Sequence, residues 1–214
     1  DGRVHRSTNG GQSWTFFDSG LNGASIYKMA VDPTGTHLAL ATSTGVYEYQ
    51  RDLSYLSGAV TYTIALRAQS DNYVSAASCG DSYVDANSTQ AGGCETFTLY
   101  DVNGGDLRDG DKVYLQAANG SFVSAENGGA NGCAGCDGAV NANRIVAASW
   151  ETFTIHRMDG SGAIGDGTPI SLQSSAGNFL VAESGGHNAC SCDSRILANR
   201  AVAAAWETFV LELR

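Results

Sequence analysis

The sequence contains no apolar run approaching the eighteen or more residues that a membrane-spanning helix needs, and it is short of positive charge. Twelve Lys and Arg stand against 22 Asp and Glu, a formal net charge of −10. Clustered cations are what grip nucleic acid and attract anionic lipid, so neither nucleic acid nor membrane is an expected partner. Proline is nearly absent, 2 residues against 27 glycines, and no segment has a persuasive helical period. The four histidines, His5, His37, His156 and His187, share no motif spacing. No segment joins a nucleophile, a base and a group to orient that base. Catalysis, a bound metal and a cofactor are therefore not expected.

What is present is repetition. WETF occurs at 150–153 and again at 206–209, and at the same interval upstream Cys94, Glu95, Thr96 and Phe97 keep the frame with Cys in the Trp position. An internal repeat decides the architecture before any local motif does. The 214 residues, 43% of them hydrophobic, suffice for one large or two modest soluble domains, and the text divides in two. Residues 1–53 form one region, 54–60 a linker, and 61–214 the repeated region.

The repeated region opens each copy alike: "IALRAQSDNYVSAA" from Ile64, "VYLQAANGSFVSAE" from Val113 and "ISLQSSAGNFLVAE" from Ile170. Each is an alternating strand, a polar Asn/Gly turn and a second strand carrying one aromatic, Tyr73, Phe122 or Phe179. A Gly-rich loop leads to a third strand at Val84, Val140 or Ile196, and the ETF segment is the fourth. Three copies of four strands predict an all-β fold, a β-trefoil in which three hairpins build a short barrel and three cap it. Paired carboxylates for glycoside hydrolysis stand within about 5–10 Å of each other, which adjacent-copy glutamates on such a barrel do not supply.

Two resemblances attach to these motifs. In the first region "STNGGQSW" places Ser7, Asn9, Gly11 and Trp14 in the spacing S-x-D/N-x-G-x-x-W, with Asn where Asp is usual. This resembles the Asp-box of sialidase-like β-propellers, a hairpin device in which the polar side chain folds onto backbone donors, glycines take positive φ and the Trp plugs the sheet beside it. Three short strands follow at about 26–31, 37–42 and 46–50, similar to a partial propeller blade. A propeller closes with four to eight blades, so one blade implies either part of a longer chain or an oligomer sharing blades. Asp1 opens within the patterned stretch "GRVHRS" rather than a leader, and the natural start is expected upstream. The repeated region resembles the fascin-like β-trefoil family, whose repeats carry YVxAE, LxANR and WExF much as copies two and three do. Single trefoils of this pattern are similar to carbohydrate-binding modules on secreted polysaccharide-degrading enzymes, and those with a Trp-Glu pair per repeat bind β-1,3- and β-1,6-linked glucans.

The resemblance implies a polysaccharide-binding set of Trp150, Glu151, Trp206 and Glu207, with Asn143, Arg144, Asn199 and Arg200 from the ANR stretches and Glu126 and Glu183 from the AE pairs. A Trp offers a flat apolar face to a pyranose ring, and a carboxylate accepts charge-assisted bonds from hydroxyls. On the residues alone, Trp and Glu could equally close the barrel with the carboxylate bonded to backbone amides. Each Arg could hold its Glu, donate to a hydroxyl, or form a plain ion pair. Copy one has Asn87 and Ser88 and lacks both Arg and Trp, so its site is expected to be dead or altered.

The six cysteines fall into the pairs Cys79/Cys94, Cys133/Cys136 and Cys190/Cys192. The one-residue length difference between copies two and three falls between their cysteines, which argues for bonds within each loop; zinc held by these clusters is the rival. Three disulfides imply an oxidising, extracellular compartment. The expected function is non-catalytic polysaccharide binding by the C-terminal part of a secreted glycan-active enzyme, whose propeller could be the glycoside hydrolase. The alternatives are a lectin assembled through its blades and a fascin-like scaffold for protein filaments.

Overall fold

A computed structural model describes residues 4–6, 14–16, 21, 23–31, 37–50, 56–129, 138–186 and 194–214. The chain divides into two compact units, Asp1–Tyr55 and Leu56–Arg214, so the boundary falls inside the stretch expected as a linker.

The first unit has a two-stranded ladder, β1 (His5–Arg6) with β2 (Thr15–Phe16), and an antiparallel meander of β3 (Ile26–Val31), β4 (His37–Thr42) and β5 (Gly45–Gln50). The three longer strands lie where alternation and turn residues predict them. At the β4–β5 turn the Thr42 hydroxyl donates to the Gly45 carbonyl at 2.8 Å and accepts the Thr44 N–H at 3.2 Å. Gly45 there has φ +139°, a conformation that L side chains rarely adopt. Among the described residues the unit's core comprises Val4, Leu21 and Leu40, with Ile26, Leu38 and Tyr47 against them. Trp14, expected to plug the sheet, is 60% exposed. Ser7, Asn9 and Gly11 of the expected Asp-box lie outside the described residues.

In the second unit each repeat contributes four strands. They are β6 (Val60–Arg67), β7 (Tyr73–Ala76), β8 (Ser82–Ser88) and β9 (Phe97–Asp101); then β10 (Lys112–Gln116), β11 (Phe122–Ala125), β12 (Val140–Arg144) and β13 (Phe153–Arg157); then β14 (Pro169–Ser174), β15 (Phe179–Ala182), β16 (Ile196–Arg200) and β17 (Phe209–Leu213). First and fourth strands pair in the order β6–β9–β10–β13–β14–β17 and back to β6, a closed ring of six. Closure leaves the barrel no free edge. The second and third strands form three hairpins, β7–β8, β11–β12 and β15–β16, each with a register shift at its aromatic residue, Tyr73, Phe122 or Phe179. This is a β-trefoil-like architecture, as the strand count predicts.

Alternation along each fourth strand sends Phe97, Phe153 and Phe209 inward, all at most 1% exposed. They join Leu66, Leu115 and Leu172 of the first strands in one continuous core. Burying an aromatic removes on the order of 150–250 Å² from water, so this layer is the main reason the three repeats stay together.

The repeats also clasp one another. Each first hairpin turn binds the short 3₁₀ turn of the preceding repeat: the Asn119 N–H donates to the Cys79 carbonyl at 3.2 Å, the Ala176 N–H to that of Gly128 at 3.2 Å, and the Ser70 N–H to that of Gly185 at 3.0 Å. The 3₁₀ turns match in backbone, with Ser78, Asn127 and Ser184 at φ +57°, +56° and +54°. Cys79 and Cys94 form a disulfide. Cys133, Cys136, Cys190 and Cys192 lie outside the described residues, and so does His187.

Candidate functional site

Copies two and three place the same side chains in the same arrangement. In copy two, β12 ends at Arg144, and the guanidinium reaches two carboxylates: Nη2 lies 2.6 Å from Glu126 Oε2 and Nε lies 3.8 Å from Glu151 Oε1. In copy three, Arg200 Nη2 lies 2.8 Å from Glu183 Oε1 and Nε lies 3.7 Å from Glu207 Oε1. Asn143 and Asn199 each accept a bond from the Arg that follows, which fixes the fork. Asn141, which sequence reasoning did not single out, donates to Glu126 Oε1 at 3.0 Å. Leu197 holds that position in copy three, so no repeated signal marked it.

The two glutamates of each site differ in environment. Glu151 and Glu207 are buried, 3% and 4% exposed, and each turns back into its own loop. Glu151 Oε2 accepts the Ala148 N–H at 2.8 Å, and Glu207 Oε2 accepts the Ala204 N–H at 2.8 Å. The Thr that follows closes the same turn, Thr152 on the Ala148 carbonyl and Thr208 on the Ala204 carbonyl, both at 2.7 Å. Of the two roles open to these carboxylates, the backbone one is occupied. Glu126 and Glu183 are half-buried, their side chains 22% and 23% exposed. Each Arg thus joins a buried anion to a half-exposed one, and each cluster carries one cation against two carboxylates.

The tryptophans stand beside these clusters and are open, Trp150 at 38% and Trp206 at 44% exposure. Their backbone is tied down although their rings are not: the Trp150 carbonyl accepts the Ala125 N–H and the Trp206 carbonyl the Ala182 N–H, each at 2.9 Å. The residue after each Ala is Glu126 or Glu183, so one backbone bond brings the chain at the Trp alongside the chain at that Glu. An exposed apolar ring held next to a hydrogen-bonding carboxylate and a guanidinium can stack one face of a ligand while bonding its edge.

Copy one keeps the turn and loses the chemistry. Glu95 Oε2 accepts the Gly92 N–H at 2.8 Å, the Thr96 hydroxyl donates to the Gly92 carbonyl at 2.7 Å, and the Ala76 N–H donates to the Cys94 carbonyl at 2.9 Å. Ala77 replaces the half-exposed Glu, Ser88 the Arg and Cys94 the Trp. Among the described residues no group of three or more His, Cys, Asp or Glu is placed to hold a metal ion.

No protein-family model matches the chain, and no curated protein matches it. Solved structures do. The SDF2-like protein from Arabidopsis thaliana aligns with a TM-score of 0.57 at 9% identity, covering 72% of this chain and 94% of that one. A Caenorhabditis elegans protein of unknown function aligns with a TM-score of 0.55 at 11% identity over 72% and 94%. The designed three-fold symmetric protein ThreeFoil aligns at 0.49 and 18% identity, over 71% and 97%. At these identities the likeness to the first two is one of fold.

Proposed function

We propose that the second unit binds a polysaccharide without transforming it, through two sites centred on Trp150 and Trp206. The observation that carries this reading is duplication: an exposed Trp, a half-exposed Glu and an Arg held by a buried Glu recur in copies two and three with matching distances. An ion pair needed only for stability gives no reason to keep a large indole open to water beside it. Stacking on a sugar's C–H face does. The fascin-like motifs favour a β-glucan or a related neutral glycan, and one guanidinium between two carboxylates disfavours polyuronates and sulfated chains. Asn143 and Asn199 orient the guanidinium, while Glu151 and Glu207 hold it from behind.

The same motifs favour an extracellular setting, in keeping with the Cys79–Cys94 bond, and a parent protein that acts on glycans through an Asp-box propeller to which the first unit contributes a blade. A second reading, a lectin assembled through that unit, is favoured by the open side chains of Tyr27, Met29, Val31 and Val46, each at least 57% exposed.

Retention of the purified chain on a panel of soluble and insoluble polysaccharides tests both. Glucan retention lost in the Trp150→Ala/Trp206→Ala double variant supports the binding module, and haemagglutination by an oligomer supports the lectin. Retention unchanged in a folded double variant removes the stacking sites.

A further inference from the structure

We propose that Gln69, supplied by repeat one, is a specificity-determining residue of the Trp206 site; the proposal rests on the glycan reading of that site. Gly185 lies in the 3₁₀ turn below the indole with φ +72°, and a Cβ built there would sit 3.3 Å from Gln69 Oε1 and 3.4 Å from both Trp206 Cδ1 and Nε1. With no side chain on Gly185, the N–H edge of the indole and the Gln69 amide both close on this turn, where a Cβ would be a tight fit. Gln69 is exposed, and its position is set by its neighbours. The Ser70 N–H donates to the Gly185 carbonyl at 3.0 Å, and the Ser70 hydroxyl and the Asn72 amide donate to the Gly186 carbonyl at 2.8 and 2.6 Å. An amide carries donors and an acceptor on one flexible stem, and a sugar stacked on Trp206 would present its edge hydroxyls to it.

The equivalent place in copy two is built differently. A Cβ at Gly128 would lie 3.1 Å from Ser175 Oγ, and Trp150 is not among its three nearest neighbours. Serine is two atoms shorter and cannot follow a ring outward. The two sites therefore share their Trp, Arg and Glu but differ in the residue that the next repeat adds at the seam. A net hydrogen bond is worth about two- to tenfold in affinity, so the Trp206 site is expected to be the tighter by that factor.

The chain's three tryptophans, Trp14, Trp150 and Trp206, give each site its own reporter. Indole N–H resonances of the full chain, assigned with single Trp→Phe variants, are followed during titration with the β-1,3-linked glucose trisaccharide and, separately, with the β-1,6-linked disaccharide. The expected result is two dissociation constants, the Trp206 one weakened about two- to tenfold by Gln69→Ala with the Trp150 one unmoved. Ser175→Gln is expected to tighten the Trp150 site. Dispersed spectra and an unchanged melting midpoint verify that the variants are folded. Binding reported by both indoles with Gln69→Ala altering neither constant, or both alike, overturns the role of Gln69 and leaves the glycan reading standing. Neither indole responding to either sugar, with the same response absent for the polysaccharide panel, overturns both.

Discussion

Cys79 and Cys94 are bonded to each other at the two positions that copy two fills with Gly128 and Trp150 and copy three with Gly185 and Trp206. Where repeat three rests the Trp206 indole near Gly185 of its 3₁₀ turn, repeat one joins the turn to the ETF loop covalently. The crosslink replaces a packing contact, and with Ala77 and Ser88 in place of Glu and Arg it leaves a repeat that holds together without a ligand-facing ring.

That substitution separates stability from binding. The bond closes a separation of 15 residues, for which chain entropy gives at most about 3 kcal/mol. Cys79→Ala/Cys94→Ala is expected to lower the unfolding free energy by up to that amount while glycan stoichiometry stays at two. Urea unfolding and calorimetry on the same preparation check it. A loss of binding stoichiometry would show that repeat one contributes a site.

The two glutamates of each cluster are expected to respond in opposite ways. Glu151 is buried, bonded to the Ala148 N–H and faced by Arg144, so Glu151→Ala removes a charged acceptor from its own turn and costs about 1.5–3 kcal/mol of stability. Glu126 keeps 22% of its side chain exposed, and its removal is expected to cost less stability than that of Glu151 while weakening oligosaccharide binding at the Trp150 site. Melting and titration of the two single variants distinguish them; equal loss of stability in both would place Glu126 in the scaffold rather than the site.

Much of this arrangement was legible in the sequence, for a physical reason. Strand alternation and repetition report on position, so the strands from Ile64 onward and their count of four per repeat followed from the sequence. The role of Glu151 did not follow, because the same residue beside a Trp can accept from a ligand or from its own loop. The choice is made by a turn that brings the Ala148 N–H within reach. Gln69 was invisible for another reason: it reaches Gly185, beside Trp206, only because barrel closure through the β17–β6 pairing brings repeat one against repeat three, and no local pattern encodes a neighbour supplied by closure.

A pH dependence follows from Asp101, fully buried at the end of β9. Burial raises its carboxyl above the ordinary aspartate value; the Asn103 N–H opposes this and the like charge of Asp111 adds to it. A folded-state value above the unfolded one means that the folded chain holds the proton more tightly, so this group's contribution to stability is complete below the unfolded value and is lost as pH rises through the folded one. Asp101→Asn keeps an oxygen for the Asn103 N–H at Asp101 Oδ1 and cannot ionise. The variant is expected to gain on the wild type at about pH 7 and to lose that advantage near pH 3, below the ordinary aspartate range. Urea midpoints at the two values test it, and an advantage independent of pH would exclude ionisation as its cause.

The last prediction concerns valency. Copies two and three keep Trp, Glu and Arg, and copy one does not, so two sites are expected per chain. A shallow site stacking one sugar binds with little more than the roughly −4 kcal/mol of a millimolar constant. On a polymer with repeated epitopes, two such sites on one closed barrel raise each other's effective concentration, and avidity adds about two or more orders of magnitude. Trp150→Ala and Trp206→Ala are therefore each expected to halve the stoichiometry for a short oligosaccharide while costing far more than half of the affinity for the polymer. Calorimetry with an oligosaccharide too short to bridge the sites, set beside depletion by the intact polysaccharide, makes the comparison on one protein. Equal proportional losses on both ligands would mean that the sites act independently, and a stoichiometry of three would mean that the repeat closed by Cys79 and Cys94 binds as well.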